Sequence, residues 1–287
     1  MRSSALAALV LCAGCAAPSF VGHTGRVTPR HGFRVLLGTG YQVNTSAAGV
    51  VRDGRDLAKR LDEKRRTCPD MTSGDCWDVA DVEPVVRAAY RFAVAAPLAT
   101  STEAVVRWGF ADGLELGGRL GPGVKGLEVG WQAFGPRDGS DGWAGTVLAG
   151  FSSRSMGALG DVVENVLQGE ATLRDHGLSF VAGRSWAQAA QVYLGARTTL
   201  SRWKVQVVPD LPIVYDGGEA QARLLGTDGS GSVWHTGAVV GAALGYRRVW
   251  LGAELNLLWT EGGARVLFDR RDFSGLGAMP AVYLYVQ

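Results

Sequence analysis

A side-chain period of two runs through most of this chain, and it restricts the backbone to extended strands whose two faces differ in kind. In residues 33–43, Phe33, Val35, Leu37, Tyr41 and Val43 fall on one side, and Arg34, Gly38, Gly40 and Gln42 on the other. In 85–96, Val86, Ala88, Tyr90, Phe92, Val94 and Ala96 oppose Arg87, Ala89, Arg91 and Ala93. In 102–110, Ala104, Val106, Trp108 and Phe110 oppose Glu103, Val105, Arg107 and Gly109. In 114–120, Glu115 and Arg119 share a face with Gly117. Turn sequences separate these runs: Ala111-Asp112-Gly113, Gly121-Pro122-Gly123 and Gly135-Pro136-Arg137-Asp138-Gly139. The glycine of the first suits a positive φ.

The less apolar face decides what the strands enclose. A water-soluble sandwich turns Lys, Thr, Ser and Glu to solvent. Here that face is mostly Gly, Ala, Arg, Glu, Gln and Asn. Glycine supplies 41 of 287 residues, about twice the usual share of roughly 7%. Small residues with single charges suit a confined lumen in which Arg and Glu pair across strands. The expected lumen-lining set is Arg87, Arg91, Glu103, Arg107, Glu115, Arg119, Glu128, Arg197, Glu254 and Asn256. The apolar face carries Tyr90, Phe92, Trp108, Phe110, Trp143, Trp203, Trp234 and Trp259 near strand ends, as interfacial girdles do. Runs of roughly nine to eleven residues have the length of a tilted membrane strand. Closure of the sheet removes edges that lipid would leave unpaired. The expected fold is all-β, an antiparallel meander β-barrel of about ten to twelve strands with one polar inserted loop containing a short helix.

Further strands are expected at 143–152, 178–186, 191–200, 203–208, 234–246, 249–259 and 279–287, with Arg247-Arg248 in a tight turn. Residues 153–176, 209–232 and 260–277 read as longer connections. Residues 44–84 break the alternation. There Val50, Leu57, Ala58 and Leu61 lie among many charges, the pattern of an amphipathic helix with a solvated face. Cys68 and Cys76 follow in a polar segment. In an oxidising compartment they are expected to form a disulfide, contributing at most about 3 kcal/mol because the loop is short. A hard-ion site with Asp70, Asp75 and Asp78 is the alternative, against which stands the need for about four ligands.

The first fifteen residues carry one positive charge, then an apolar run ending in small residues and a cysteine, the outline of a bacterial export signal. The run is too short for a spanning helix, which needs about 20 residues. Cys12-Ala13-Gly14-Cys15 resembles a bacterial lipobox, departing from it at Cys12, where that family usually has Leu. The resemblance implies lipidation of Cys15, and Ala16 after it implies outer-membrane sorting; an ordinary signal peptide cut near Ala16-Ala17 is the alternative. The chain therefore divides into a signal at 1–15, a short polar tether at 16–32 and a barrel domain at 33–287, with the insert at 44–84.

Phe110 to Pro122, followed by Gly126-Leu127-Glu128-Val129-Gly130, resembles the hairpins of bacterial outer-membrane β-barrel proteins, in which a short turn joins strands with Leu, Glu and Gly at alternate positions. The likeness extends loosely over 85–287. It implies an outer-membrane location, contact with outer-membrane lipid and insertion by the barrel-assembly machinery. Many such barrels end in an aromatic residue; this chain ends Tyr283-Leu284-Tyr285-Val286-Gln287.

A formal net charge of +2 at pH 7 gives no strong field to recruit nucleic acid or acidic substrates. Outer-membrane lipid A deacylases and phospholipases share the expected fold and use a His one residue from a Ser. His176 precedes Gly177-Leu178-Ser179 and His235 precedes Thr236-Gly237, so neither has that spacing, and alternation puts His176 and Ser179 on opposite faces. Gly121 to Gly126 lacks phosphate-loop spacing, and Gly226 to Ser232 is too short for a calcium repeat. No cofactor, metal or catalysis is expected. The leading reading is an outer-membrane barrel with a structural or narrow-pore role, any small solute being unspecified. The alternatives are a lipid-anchored periplasmic barrel or sandwich binding an apolar ligand, and an outer-membrane lipid-modifying enzyme.

Overall fold

The alternating segments pair into ten antiparallel strands in a computed structural model, which describes residues 19–45, 59, 63, 66–67, 98–137, 140–156, 167–186, 189–209, 227–246, 248–266 and 269–287. The strands are β1 (Phe33–Asn44), β2 (Leu98–Ala111), β3 (Leu114–Gly121), β4 (Val124–Phe134), β5 (Gly142–Met156), β6 (Leu167–Trp186), β7 (Ala190–Pro209), β8 (Thr227–Tyr246), β9 (Val249–Val266) and β10 (Asp269–Val286). Each pairs with its sequence neighbours. The barrel closes where β1 meets β10, with Val35 opposite Val286 and Gly38 opposite Tyr283. The sheet is therefore a closed meander without a free edge.

The period of two sorts the side chains in the opposite sense to a soluble core. Phe33, Leu37, Leu127, Leu194, Val240, Leu251 and Leu284 point outward and are exposed, while Arg34, Glu103, Arg107, Glu115, Glu128 and Glu254 are buried inside. Aromatic residues band the outside at two levels. Phe33, Trp108, Trp131, Trp143 and Tyr246 lie toward one end, and Tyr41, Phe151, Trp234 and Trp259 toward the other.

The interior has two kinds of filling. On the β7–β10 side, Tyr193, Trp250, Tyr283 and Tyr285 are buried, and Trp250 and Tyr285 stack at 5.6 Å. Neighbouring glycines make room for these rings. A Cβ on Gly252 or Gly241 would come within 2.2 Å of the Tyr283 or Tyr193 ring. On the β2–β4 side, carboxylates lie over glycines instead. Arg107 is paired with Gly117, which is paired with Glu128, and a Cβ on Gly117 would lie 2.5 Å from the Glu128 side chain.

The two rims differ. At one end, called here the turn end, short links join β2 to β3, β4 to β5, β6 to β7 and β8 to β9, and Val286 closes β10. At the opposite end lie the long connections 45–97, 157–166 and 210–226. The wall is also uneven: β3 has 8 residues, whereas β6, β7 and β8 have 20 each.

Several expectations need correction. The expected strands 191–200 and 203–208 are one strand, β7, so Trp203 continues the inward parity of Tyr193, Arg197 and Ser201 and is buried rather than part of an outer girdle. Much of 153–176, 209–232 and 260–277 is strand, not connection. These extensions carry polar residues on both faces, which erases the alternation that marks a strand by sequence. Lys59, Glu63, Arg66 and Thr67 are helical, and Thr67 Oγ1 donates to the Glu63 carbonyl at 3.3 Å. The expected strand at 85–96 with Arg87 and Arg91, and Cys15, Cys68 and Cys76, lie outside the described residues.

Candidate functional site: the occupied lumen

The lumen holds a segment of the chain itself. Residues 19–28, read from sequence as part of a polar tether, run inside the barrel, with Phe20, His23 and Thr28 essentially inaccessible. The segment has no strand partner through this stretch, so its peptide groups must find partners elsewhere, because buried backbone N–H and C=O groups are costly to leave unpaired. The walls supply them.

Glu254 on β9 accepts from two successive amides, Val21 N–H at 2.8 Å and Gly22 N–H at 2.9 Å. Its remaining capacity is filled by Asn256 Nδ2 at 2.9 Å and the Tyr193 hydroxyl at 3.1 Å. Arg107 on β2 does the converse. Its Nη1 and Nη2 donate to the carbonyls of Gly22 at 2.7 Å and Val21 at 3.1 Å. A carboxylate fork and a guanidinium fork thus hold both sides of one dipeptide. Planar guanidinium suits such two-point contacts.

The pattern continues along the segment. Arg197 Nη1 donates to the Ser19 carbonyl at 2.6 Å, and Arg119 Nη1 to that of Phe20 at 3.1 Å. Thr146 Oγ1 donates to the Gly25 carbonyl at 2.8 Å, and Arg34 Nη1 to that of Arg26 at 3.0 Å. Glu115 accepts from the Thr28 amide at 2.7 Å and from its hydroxyl at 2.9 Å. It also receives His23 Nε2 at 2.9 Å, while His23 Nδ1 accepts from the Gly25 amide at 3.1 Å. With one ring nitrogen donating and the other accepting, this imidazole is neutral.

The charged groups also brace one another. Arg119 bridges Glu103 at 2.6 Å and Glu128 at 2.9 Å. Arg107 Nε pairs with Glu128 as well, and Arg154 with Asp175 at 3.0 Å. Steric fit adds to this. Gly25 has φ +86 and sits against the paired backbones of Ala144 and Gly183. On the wall, a Cβ on Gly183 would lie 2.3 Å from the Thr24 carbonyl oxygen, and one on Gly109 within 2.4 Å of the Thr28 and Pro29 carbonyl oxygens. At the turn end, Arg30 bridges to Gly109, and the His31 amide donates to the Gly109 carbonyl at 2.6 Å.

Of the residues named from sequence, Glu103, Arg107, Glu115, Arg119, Glu128, Arg197, Glu254 and Asn256 are all buried in this interior, and all but Glu128 and Asn256 touch the segment directly. Arg34, Thr146, Gln132, Arg154, Asp175 and Tyr193 belong to the same network, and the lumen-lining set expected from sequence did not include them. Inward parity on their strands was the available signal. His176 faces outward against the Phe151 ring at 5.2 Å, and His235 faces inward, 3.0 Å from Thr260 Oγ1.

Glu254→Gln is expected to weaken the hold on the segment by about 1–3 kcal/mol, since the amide nitrogen it introduces cannot accept from a second backbone N–H. Hydrogen exchange should show protection lost first at the Val21 and Gly22 amides. Unchanged protection there would show that Glu254 is not what holds them.

No protein-family model matches the chain, and no curated protein matches it. Among solved structures it is similar to a neisserial surface protein, NspA, at 10% identity and a TM-score of 0.32, over 88% of this chain and 96% of that one.

Proposed function

We propose that this protein is an outer-membrane β-barrel with a structural role, whose lumen is sealed by its own N-terminal segment. The observation that carries this reading is the inverted partition of side chains. Buried positions are rich in paired Arg and Glu, while large apolar residues cover the outside. In water such a belt would be an aggregation surface far larger than the few hundred Å² that soluble monomers expose. In a bilayer it faces hydrocarbon, and the two aromatic levels fall where girdles sit. The closed meander satisfies the rule that no sheet edge may face lipid. The narrow-pore role becomes a closed one, because residues 19–28 and the ion-paired walls occupy the interior. Those same buried charges make the lumen a poor host for an apolar ligand.

Val240 tests the reading. It is half exposed and lies on β8 midway between the outward-facing Trp234 and Tyr246. Val240→Arg is expected to cost about 2–4 kcal/mol for a residue at the bilayer midplane. An exposed site on a soluble barrel would change by no more than about 0.5 kcal/mol. Unfolding from lipid vesicles, followed by gel mobility before and after heating, measures the difference. A neutral result, together with release of the protein by carbonate washing, would overturn the membrane assignment.

A further inference from the structure

We propose that the barrel carries its own N-terminus across the membrane, so that the chain preceding Ser19 is displayed at the cell surface, on the face opposite the C-terminus. This rests on the spanning reading above and adds a direction to it.

The direction follows from the ladder of contacts. Arg30 bridges Gly109, near the turn-end terminus of β2, and Thr28 is bonded to Glu115, near the turn-end start of β3. Val21 and Gly22 are held further in, by Arg107 and Glu254. Ser19 is bonded to Glu103 at 2.7 Å and to Arg154 at 2.8 Å. Those two residues mark the other rim. Ala104, next to Glu103, pairs with Leu120 at the far end of β3, and Arg154 pairs with Val124, the first residue of β4. On its shorter side the barrel is therefore crossed from end to end by residues 30 to 19, in the N-terminal direction.

Beside the segment the lumen is filled by fully buried Arg107, Glu115, Gln132, Tyr193 and Tyr283. Ahead of Ser19 the taller wall offers Asp175, Thr199, Ser201, His235 and Thr260 on its inner face. This inner face is polar. It leads toward the end from which the connections 45–97, 157–166 and 210–226 depart. In outer-membrane barrels the short turns face the periplasm and the longer loops face outward, which makes this the cell-surface side. The walls grip the segment mainly through its peptide groups, as a conduit for a chain must. From Ser19 the four steps back to Cys15 reach about 14 Å at most, so a lipid on Cys15 would be carried to that same side.

The test places one short epitope at three sites in the full-length protein: between Ala17 and Pro18, between Gly217 and Gly218 in the 210–226 connection, and after Gln287. Antibody is applied to intact and to permeabilised cells, and heat-modifiable mobility confirms that each variant is folded. The expected result is that the first two epitopes are read on intact cells and the third only after permeabilisation. An N-terminal epitope silent on intact cells while the connection epitope is read overturns the proposal and leaves the spanning reading standing. If all three are silent and carbonate washing releases the protein, the spanning reading falls with it. An inserted epitope could itself obstruct threading. Ala17→Cys in a Cys68→Ser, Cys76→Ser background, labelled with a membrane-impermeant maleimide, must therefore give the same answer: labelling on intact cells supports the proposal, and labelling only after permeabilisation overturns it.

Discussion

Gly25→Val should unseat the N-terminal segment and open the barrel. Gly25 has φ +86, and a Cβ there would lie 2.6 Å from the Gly183 nitrogen and 2.8 Å from the Ala144 oxygen. Both are backbone atoms of paired strands, so neither can swing aside as a side chain would. A left-handed conformation costs an L-residue about 1–2 kcal/mol, and overpacking adds about 1–3 kcal/mol. Taking about 3 kcal/mol in all, the ratio of seated to unseated segment falls by roughly 100-fold. Two measurements read this. Tryptic cleavage after Arg26, which is buried in the seated segment, should accelerate in step with that ratio. In planar bilayers the variant should conduct ions where the parent protein is closed. If neither cleavage nor conductance changes, residues 19–28 do not form the seal.

Arg107→Met is expected to destabilise the barrel by about 3–5 kcal/mol, the usual consequence of removing one member of a buried ion pair. Methionine fills much of the same space, so the loss is chiefly electrostatic. Glu128 would keep only Arg119, and the carbonyls of Val21 and Gly22 would lose their donors. Arg107→Lys keeps the charge but not the planar fork, so it should fall between the parent and the methionine variant. Unfolding in urea from detergent micelles gives the ordering. A methionine variant within about 1 kcal/mol of the parent would contradict the central place given to Arg107, since lone polar contacts are worth that little.

The outer half of the molecule could be read from sequence because a barrel wall with an apolar outer face and a polar inner face imposes a strict rule on every second residue. Phe33, Val35, Leu37, Tyr41, Val43 and Trp108 fall at alternate positions and face outward. The same parity placed Glu103, Arg107, Glu115 and Glu254 inside. Parity also misled, at Trp203, where an assumed break after Leu200 reset the count. The strand extensions were hidden for a related reason. Beyond the apolar belt no solvent contrast separates the two faces, so Thr172, Arg174, Ser230 and Ser232 show no period. The segment in the lumen was illegible for a deeper reason. Phe20 to Thr28 is held by amide and carbonyl groups that every sequence possesses, and its side chains therefore have no amphipathic pattern to display. Its trace lies in glycines, Gly22 and Gly25 on the segment and Gly109 and Gly183 on the wall, and their partners become identifiable only when the barrel is closed.

If the barrel spans a bilayer as proposed, its unequal wall has a consequence for the surrounding lipid. Eight residues of β3, rising about 3.4 Å each and tilted by roughly 40°, stand only about 20 Å tall, while β6 to β8, at 20 residues each, rise well above any bilayer. An apolar band of about 25 Å is usual for such barrels. In such a bilayer, acyl chains beside β3 would shorten or splay to meet it, a cost of fractions of a kcal/mol per Å of mismatch. On the spanning reading the protein would be a lopsided inclusion that dimples its host on one flank, and neighbours that thin the leaflet in the same way would be drawn to that flank.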